Sequence, residues 1–386
     1  MRRGERVCTL AGMRLLDRYL LRELLVPLAY CLVGFLMLWI TSDLFANLGD
    51  LQRKKLQAGD IAEFYFVQVP EILVLILPIA LLLALLYALT NHARHHEITA
   101  IRAAGVSLWR LSAPYFAVGL LSGAGLFVLN EYFVPDSSDA SERIKLRYDP
   151  KSTGNAPGNR VRNLGFTNAR EGRVWKIGMY NSDTAEMSNP QVFWRQPDGS
   201  QLWVTAERAV YTNGFWLFLN ARQYRESAQT NTLLEPLVQT NALALPQLTE
   251  TPEEIKSEIR IGGAISLKRA RKADLPIAEI RNYLRLHPNP TASDSAWLNT
   301  KLQGRLAAPW TCLVVVLIAL PFGAASGRRN VFVGVASSIV LCFSFFVLQQ
   351  LGLALGAGGH LPPWLGAWTP NIVFTLTGLV MSARMR

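Results

Sequence analysis

Six stretches of this chain stay apolar for about twenty residues each, and about 170 residues without any such stretch separate the third from the fourth. A hydrocarbon core about 30 Å thick needs about 20 apolar residues to be crossed by a helix. The runs near 24–44, 69–89, 111–133, 306–325, 331–353 and 364–382 meet that length. Composition agrees, since half of the 386 residues are hydrophobic, only 17% are charged and the mean hydropathy is +0.19. That is too apolar for an ordinary soluble protein. The expected fold is membrane α-helical, with six transmembrane helices arranged three and three around an inserted periplasmic all-β, jelly-roll-like domain. Residues 1–134 then hold the first three spans, 135–274 the β domain, 275–304 a connector and 305–386 the last three spans.

The formal net charge of +11 is dispersed among membrane-flanking loops and the middle domain and accompanies no nucleic-acid reader motif, so nucleic acid is not an expected partner. Of Cys8, Cys31, Cys312 and Cys342, three lie inside apolar runs and behave as small hydrophobes, and no disulfide framework follows. Orientation follows from Lys and Arg in the short loops. With the N-terminus inside, thirteen of them fall on the inner side, from Arg2 and Arg18 through Arg94, Arg102 and Arg110 to Arg384 and Arg386. Only Arg53, Lys54 and Lys55 fall in the short outer loops. Both termini are therefore expected in the cytoplasm and the middle domain outside, which in a two-membrane bacterium is the periplasm.

Within that domain, residues 173–177, 191–194, 201–204 and 215–219 alternate apolar and polar side chains, as strands do. Turn residues stand at 197–199 and 212–214, where Asn213-Gly214 tolerates the positive φ angles of a tight hairpin. Residues 250–259 read as a polar linker or edge, and a helical period returns over 275–287 behind Pro276.

The loop after the second span reads as a short amphipathic helix at the membrane surface. Asn91 is placed to cap it and Gly105 to end it, while Ile98 and Ile101 share a face and Ser107 caps the third span. His92, His95, His96 and Glu97 invite a metal reading, but a zincin needs His-Glu-x-x-His and residue 100 is alanine. This helix is either a solvated connection or a docking element for a cytoplasmic partner. Arg53, Lys54 and Lys55 lie where an anionic lipid headgroup is a natural ligand, or else form a solvated basic turn. No phosphate-binding G-x-x-x-x-G-K-[ST] loop occurs, so any ATPase is another polypeptide, and neither catalytic residues, a metal nor a cofactor is expected.

Leu16-Asp17-Arg18-Tyr19-Leu20, Leu77-Pro78-Ile79-Ala80-Leu81-Leu82, the run from Glu97 to Ser107, Thr205-Ala206-Glu207-Arg208, Arg305-Leu306-Ala307-Ala308-Pro309, Leu320-Pro321-Phe322-Gly323 and Trp368-Thr369-Pro370-Asn371 recur in this order and spacing in one family. By these the chain resembles the LptF/LptG (YjgP/YjgQ) permeases of the lipopolysaccharide export ABC transporter, in the inner membrane. The resemblance implies that Glu97, Ile98, Ile101, Arg102 and Gly105 belong to a coupling helix that docks into a dimeric LptB-like ATPase. It implies a second LptF/LptG-like subunit, the first and fifth spans of the two enclosing a cavity for lipopolysaccharide or a related glycolipid. It implies a jelly roll that hands lipid to LptC- and LptA-like proteins, and lipid phosphates near Arg53, Lys54 and Lys55. The other reading is a membrane adaptor whose β domain only binds an envelope partner, which large apolar side chains closing the β interior would favour.

Overall fold

The computed structural model describes residues 15–53, 57–146, 160–196, 200–226, 237–266, 275–324 and 331–383. Helices α1 (Leu15–Arg53), α2 (Ala58–Arg94), α3 (Glu97–Ala103), α4 (Leu108–Val128) and α5 (Val134–Leu146) precede the strands, a π turn at Leu129–Phe133 joining the last two. Strands β1 (Arg160–Asn168), β2 (Arg173–Asn181), β3 (Glu186–Arg195), β4 (Gln201–Thr205), β5 (Arg208–Thr212), β6 (Phe215–Glu226) and β7 (Val238–Leu245) follow. Then come α6 (Pro252–Ser266), α7 (Ile277–Leu286), α8 (Ala292–Ala324), α9 (Val331–Ala357) and α10 (Pro363–Ala383). The chain divides into a helical unit, 15–53, 57–138 and 296–383 among the described residues, and a second unit from 139 to 295.

In the helical unit, α1, α2, α4, α8 and α9 are each long and apolar enough to cross a membrane. α10, the last helix, is 21 residues long and carries no charged side chain. Lipid supplies no partner for backbone N–H and C=O groups, and a helix satisfies both internally. α1, α2, α4, α8 and α10 nonetheless run on through internal prolines, which membrane helices tolerate where neighbouring groups or local adjustments re-satisfy the freed carbonyls. The core centres on Leu24, Leu81, Leu85, Tyr115, Cys312 and Val316. α9 and α10 approach closely because Gly352, Gly356 and Gly366 remove side chains from both surfaces. A Cβ on Gly352 would collide with the Gly366 carbonyl oxygen.

In the second unit every strand pair is antiparallel. β4 and β5 keep one continuous register against both β3 and β6, so they are a single strand broken at Ala206 and Glu207. The connectivity is thus a meander, each strand lying beside its sequence neighbours. Asn213 (φ 51°) and Gly214 (φ 87°) both take positive φ in the β5–β6 turn, as a two-residue hairpin of this hand demands. The hairpin expected at 197–199 lies outside the described residues.

The sheet is strongly curled. β2 and β6 have two strands between them, about 14 Å on a flat sheet at about 4.8 Å per strand. Yet the Trp175 and Trp216 rings lie 6.3 Å apart. Both tryptophans are fully buried, with Phe166, Tyr180, Val192 and Phe218. Residues 250–259 are not a linker or edge: most of them belong to α6, whose Ile255 enters this core with Leu248, and Ile259 packs against it. Their apolar residues are spaced for one helical face, which a reading of overall polarity passes over. Just before α6, the buried Glu250 carboxylate accepts from Asn168 Nδ2 and Arg173 Nη1, each at 2.8 Å, and its carbonyl accepts from Trp216 Nε1 at 2.7 Å.

Two consequences can be measured. Gly352→Val forces α9 from α10 and should lower the thermal midpoint of the detergent-solubilised chain, at a cost of about 1–3 kcal/mol, whereas the uncrowded Gly34→Ala should leave it unchanged. Glu258 is buried in α6, 3.7 Å from His287 Nδ1, and burial pushes its carboxyl up to about 7. The fold therefore favours the protonated acid. Its contribution is fully present below about 4.5 and is lost as pH rises toward 7, a span worth up to about 3 kcal/mol. Glu258→Gln should flatten that part of the stability profile.

Candidate functional site

α2 runs to Arg94, three residues past Asn91, so Asn91 is interior to α2 and the capping position of α3 falls to His96. His96 adopts the left-handed conformation (φ 57°), which turns the chain sharply and sets Glu97 as the first residue of α3. At the other end Gly105 (φ 83°) closes the helix. Its N–H donates to the Arg102 carbonyl, and that of Val106 donates to Ile101, the Schellman pattern. Ser107 caps α4, its Oγ accepting from Arg110 N at 3.3 Å.

This geometry sorts the predicted residues into two faces. Ile98 is buried in the helical core and Ile101 packs against it. Glu97 also turns inward: His92 Nδ1 lies 2.7 Å from its Oε2, and the Tyr19 hydroxyl donates to both carboxylate oxygens at 3.2 Å. The Tyr19 and His92 rings lie 5.7 Å apart, tilted by 59°. Beside them Arg110 pairs with Asp17 at 3.0 Å, tying the start of α4 to the start of α1. Thr99, Ala100, Arg102 and Ala103 point outward and are exposed, as are Arg94, His95 and His96. The outer face of α3 is thus small and uncharged except for Arg102, with a basic approach. His92 stands five residues from Glu97 and was visible beside it in the sequence, whereas Tyr19 lies 78 residues away and has no local signature.

The histidines do not converge, because His92 is buried while His95 and His96 face outward, and no group of three possible metal ligands forms among the described residues. Arg53 is the exposed last residue of α1, and Lys54 and Lys55 lie outside the described residues.

The membrane helices differ in how far the protein covers them. In α1 and α9 only 11% of the most apolar stretch is buried, against 56%, 44% and 67% in α2, α4 and α8. A cavity of about 220 Å³ lies among α2, α8 and α9, lined by Leu75, Pro78, Leu82, Val315 and Phe345, with Glu71 and Gln349 also on its wall.

Membrane-length helices interrupted by an antiparallel β unit, with a short helix pinned beneath the bundle, define a multi-pass membrane protein with an inserted β domain. Residues 18–384 match the family described as "Lipopolysaccharide export system permease LptF/LptG", and the chain belongs to that family. It is similar to the "Lipopolysaccharide export system permease protein LptF" of Escherichia coli (strain K12), 22% identical over 384 residues that cover 95% of this chain and 93% of that one. The protein of the same name in Shigella flexneri is similar to the same extent.

The two faces of α3 should separate on mutation. Ile98→Ala should destabilise the solubilised protein by about 2–5 kcal/mol, because it opens a cavity in the core. Arg102→Ala, on the exposed face, should shift its thermal midpoint little.

Proposed function

We propose that this chain is one of two related membrane subunits of an ABC exporter, one that lifts lipopolysaccharide or a related anionic glycolipid out of the bacterial inner membrane and delivers it to a periplasmic β bridge. The observation that carries the reading is the bareness of α1 and α9. Apolar helices left uncovered by their own chain must meet lipid or another subunit. Two such subunits would set their first and fifth spans around a chamber open sideways to the outer leaflet, where Arg53 at the end of α1, with Lys54 and Lys55 after it in sequence, would meet lipid phosphates. Withdrawing acyl chains into water costs about 0.8 kcal/mol per methylene, so a lipid with several chains does not leave unaided. The energy comes from a separate cytoplasmic ATPase seated on α3. The excess of inner-loop Lys and Arg supports that side for α3 and the periplasm for the β domain.

A second reading, a membrane adaptor whose β domain only binds an envelope partner, is favoured by one observation. Trp175 and Trp216 fill the β interior at 0% exposure, as a closed binding module would require and a lipid conduit would not.

Purification from the native organism distinguishes the two. Under the export reading, the wild-type chain brings down an ATPase and an anionic glycolipid, and Arg102→Glu releases the ATPase by reversing the one charge on the outer face of α3. Recovery of envelope proteins with neither ATPase nor glycolipid would establish the adaptor instead.

A further inference from the structure

Glu97 is placed to act inward. We propose, resting on the export reading above, that Tyr19 and His92 are positioning residues which, with Glu97 as the joint, carry the motion of α3 to α1. Three observations support this.

First, the Glu97 carboxylate already serves three helices. It begins α3, lies 2.7 Å from His92 Nδ1 on α2 and accepts from the Tyr19 hydroxyl of α1 through both oxygens. A docking partner would have to compete with both side chains for it, whereas Thr99, Ala100, Arg102 and Ala103 are open.

Second, His92 is 2% exposed and its Nε2 has no hydrogen-bond partner among the described residues, where Glu97 is the single polar tie of a buried imidazole. A buried polar ring with its one tie cut is costly, which holds the joint closed.

Third, α1 is packed unevenly. Leu20, Leu24 and Leu28 are buried near the joint, while Tyr30, Met37, Leu38 and Phe45 further along are all more than half exposed. A displacement applied near Tyr19 therefore enters α1 where it is gripped and moves a length with one face bare. Its other face rests on the core through Leu32, Phe35 and Trp39 and is tied where the Tyr65 hydroxyl donates to Asp43 at 3.0 Å. That length belongs to the helix proposed to border the lipid.

Two measurements test the idea separately. In thermal unfolding of the solubilised full-length chain, Tyr19→Phe and Glu97→Gln should be non-additive, the double variant losing little more than either single one. Simple additivity would mean that the joint does not exist, whatever the chain transports. In the assembled complex with its ATPase and companion subunit, reconstituted in vesicles containing glycolipid, Tyr19→Phe should retain the bound ATPase and its hydrolysis. Lipid released per ATP should fall several-fold. His92→Asn, which keeps an amide donor near Nδ1, should recover more of that ratio than His92→Leu. Loss of the ATPase from Tyr19→Phe would overturn the proposal and return this end of α3 to docking. Failure of the wild-type complex to hold any ATPase would remove the export reading and the transmission role together, with the stability cycle still deciding whether the joint forms.

Discussion

Hydrocarbon offers no hydrogen bonds, and the arrangement of the helical unit follows from that constraint. Membrane-length helices close most of their backbone bonds internally, and many of the side-chain ties lie toward their ends. At the start of α4, Arg110 holds Asp17, with Tyr19, His92 and Glu97 beside it. Beyond the far end of the same helix, Arg305 of α8 donates to the Asn130 carbonyl at 2.5 Å and lies 3.9 Å from Glu131. The π turn at Leu129–Phe133 makes that contact possible, since widening the helix by one residue frees a carbonyl from the regular ladder. Between these clamps most contacts are apolar, but the buried Asn371 of α10 donates to the Ala307 carbonyl of α8 at 2.9 Å and fixes that pair by a specific bond.

The second unit obeys the opposite rule. It has to bury its own apolar surface, and a single meander can do so only by curling until β2 and β6 bring Trp175 against Trp216. The remaining opening is covered by α6, and the Glu250–Arg173–Asn168 group fixes the chain where it leaves the sheet for that helix. Separating a buried ion pair costs about 3–5 kcal/mol. That side of the β core therefore opens only by separating Arg173 from Glu250. The jelly-roll expectation and the filled interior pull the functional reading in different directions for this reason.

The parts of the molecule legible in its sequence were those whose physics is local. An apolar run of membrane length, an Asn-Gly turn, a capping Ser107 and a helix-ending Gly105 each act within a few residues, and each stands where the sequence placed it. α6 escaped notice because its Glu and Lys residues dominate its composition while its isoleucines do the packing. Asn91 was a sound cap candidate in isolation, but α2 gains more by continuing to Arg94 and letting His96 make the turn. The inward face of Glu97 was illegible for a different reason. Nothing near residue 97 records that a tyrosine 78 positions earlier will lie beneath it.

Magnitudes decide how the end of α3 can act on the bundle. An ATPase can shift α1 only through contacts that join α3 to it, because no equilibrium moves further than the differential interaction allows. A hydrogen bond to a charged group contributes about 1.5–3 kcal/mol. The burial of Leu20, Leu24 and Leu28 contributes about 1.5–3 kcal/mol for each side chain. The leucines therefore grip α1 in the core they share with Ile98, but their packing has no preferred direction. Tyr19 and His92 supply the direction, because a carboxylate held from two sides fixes where α3 stands against α1, and a push on α3 then has one way to travel.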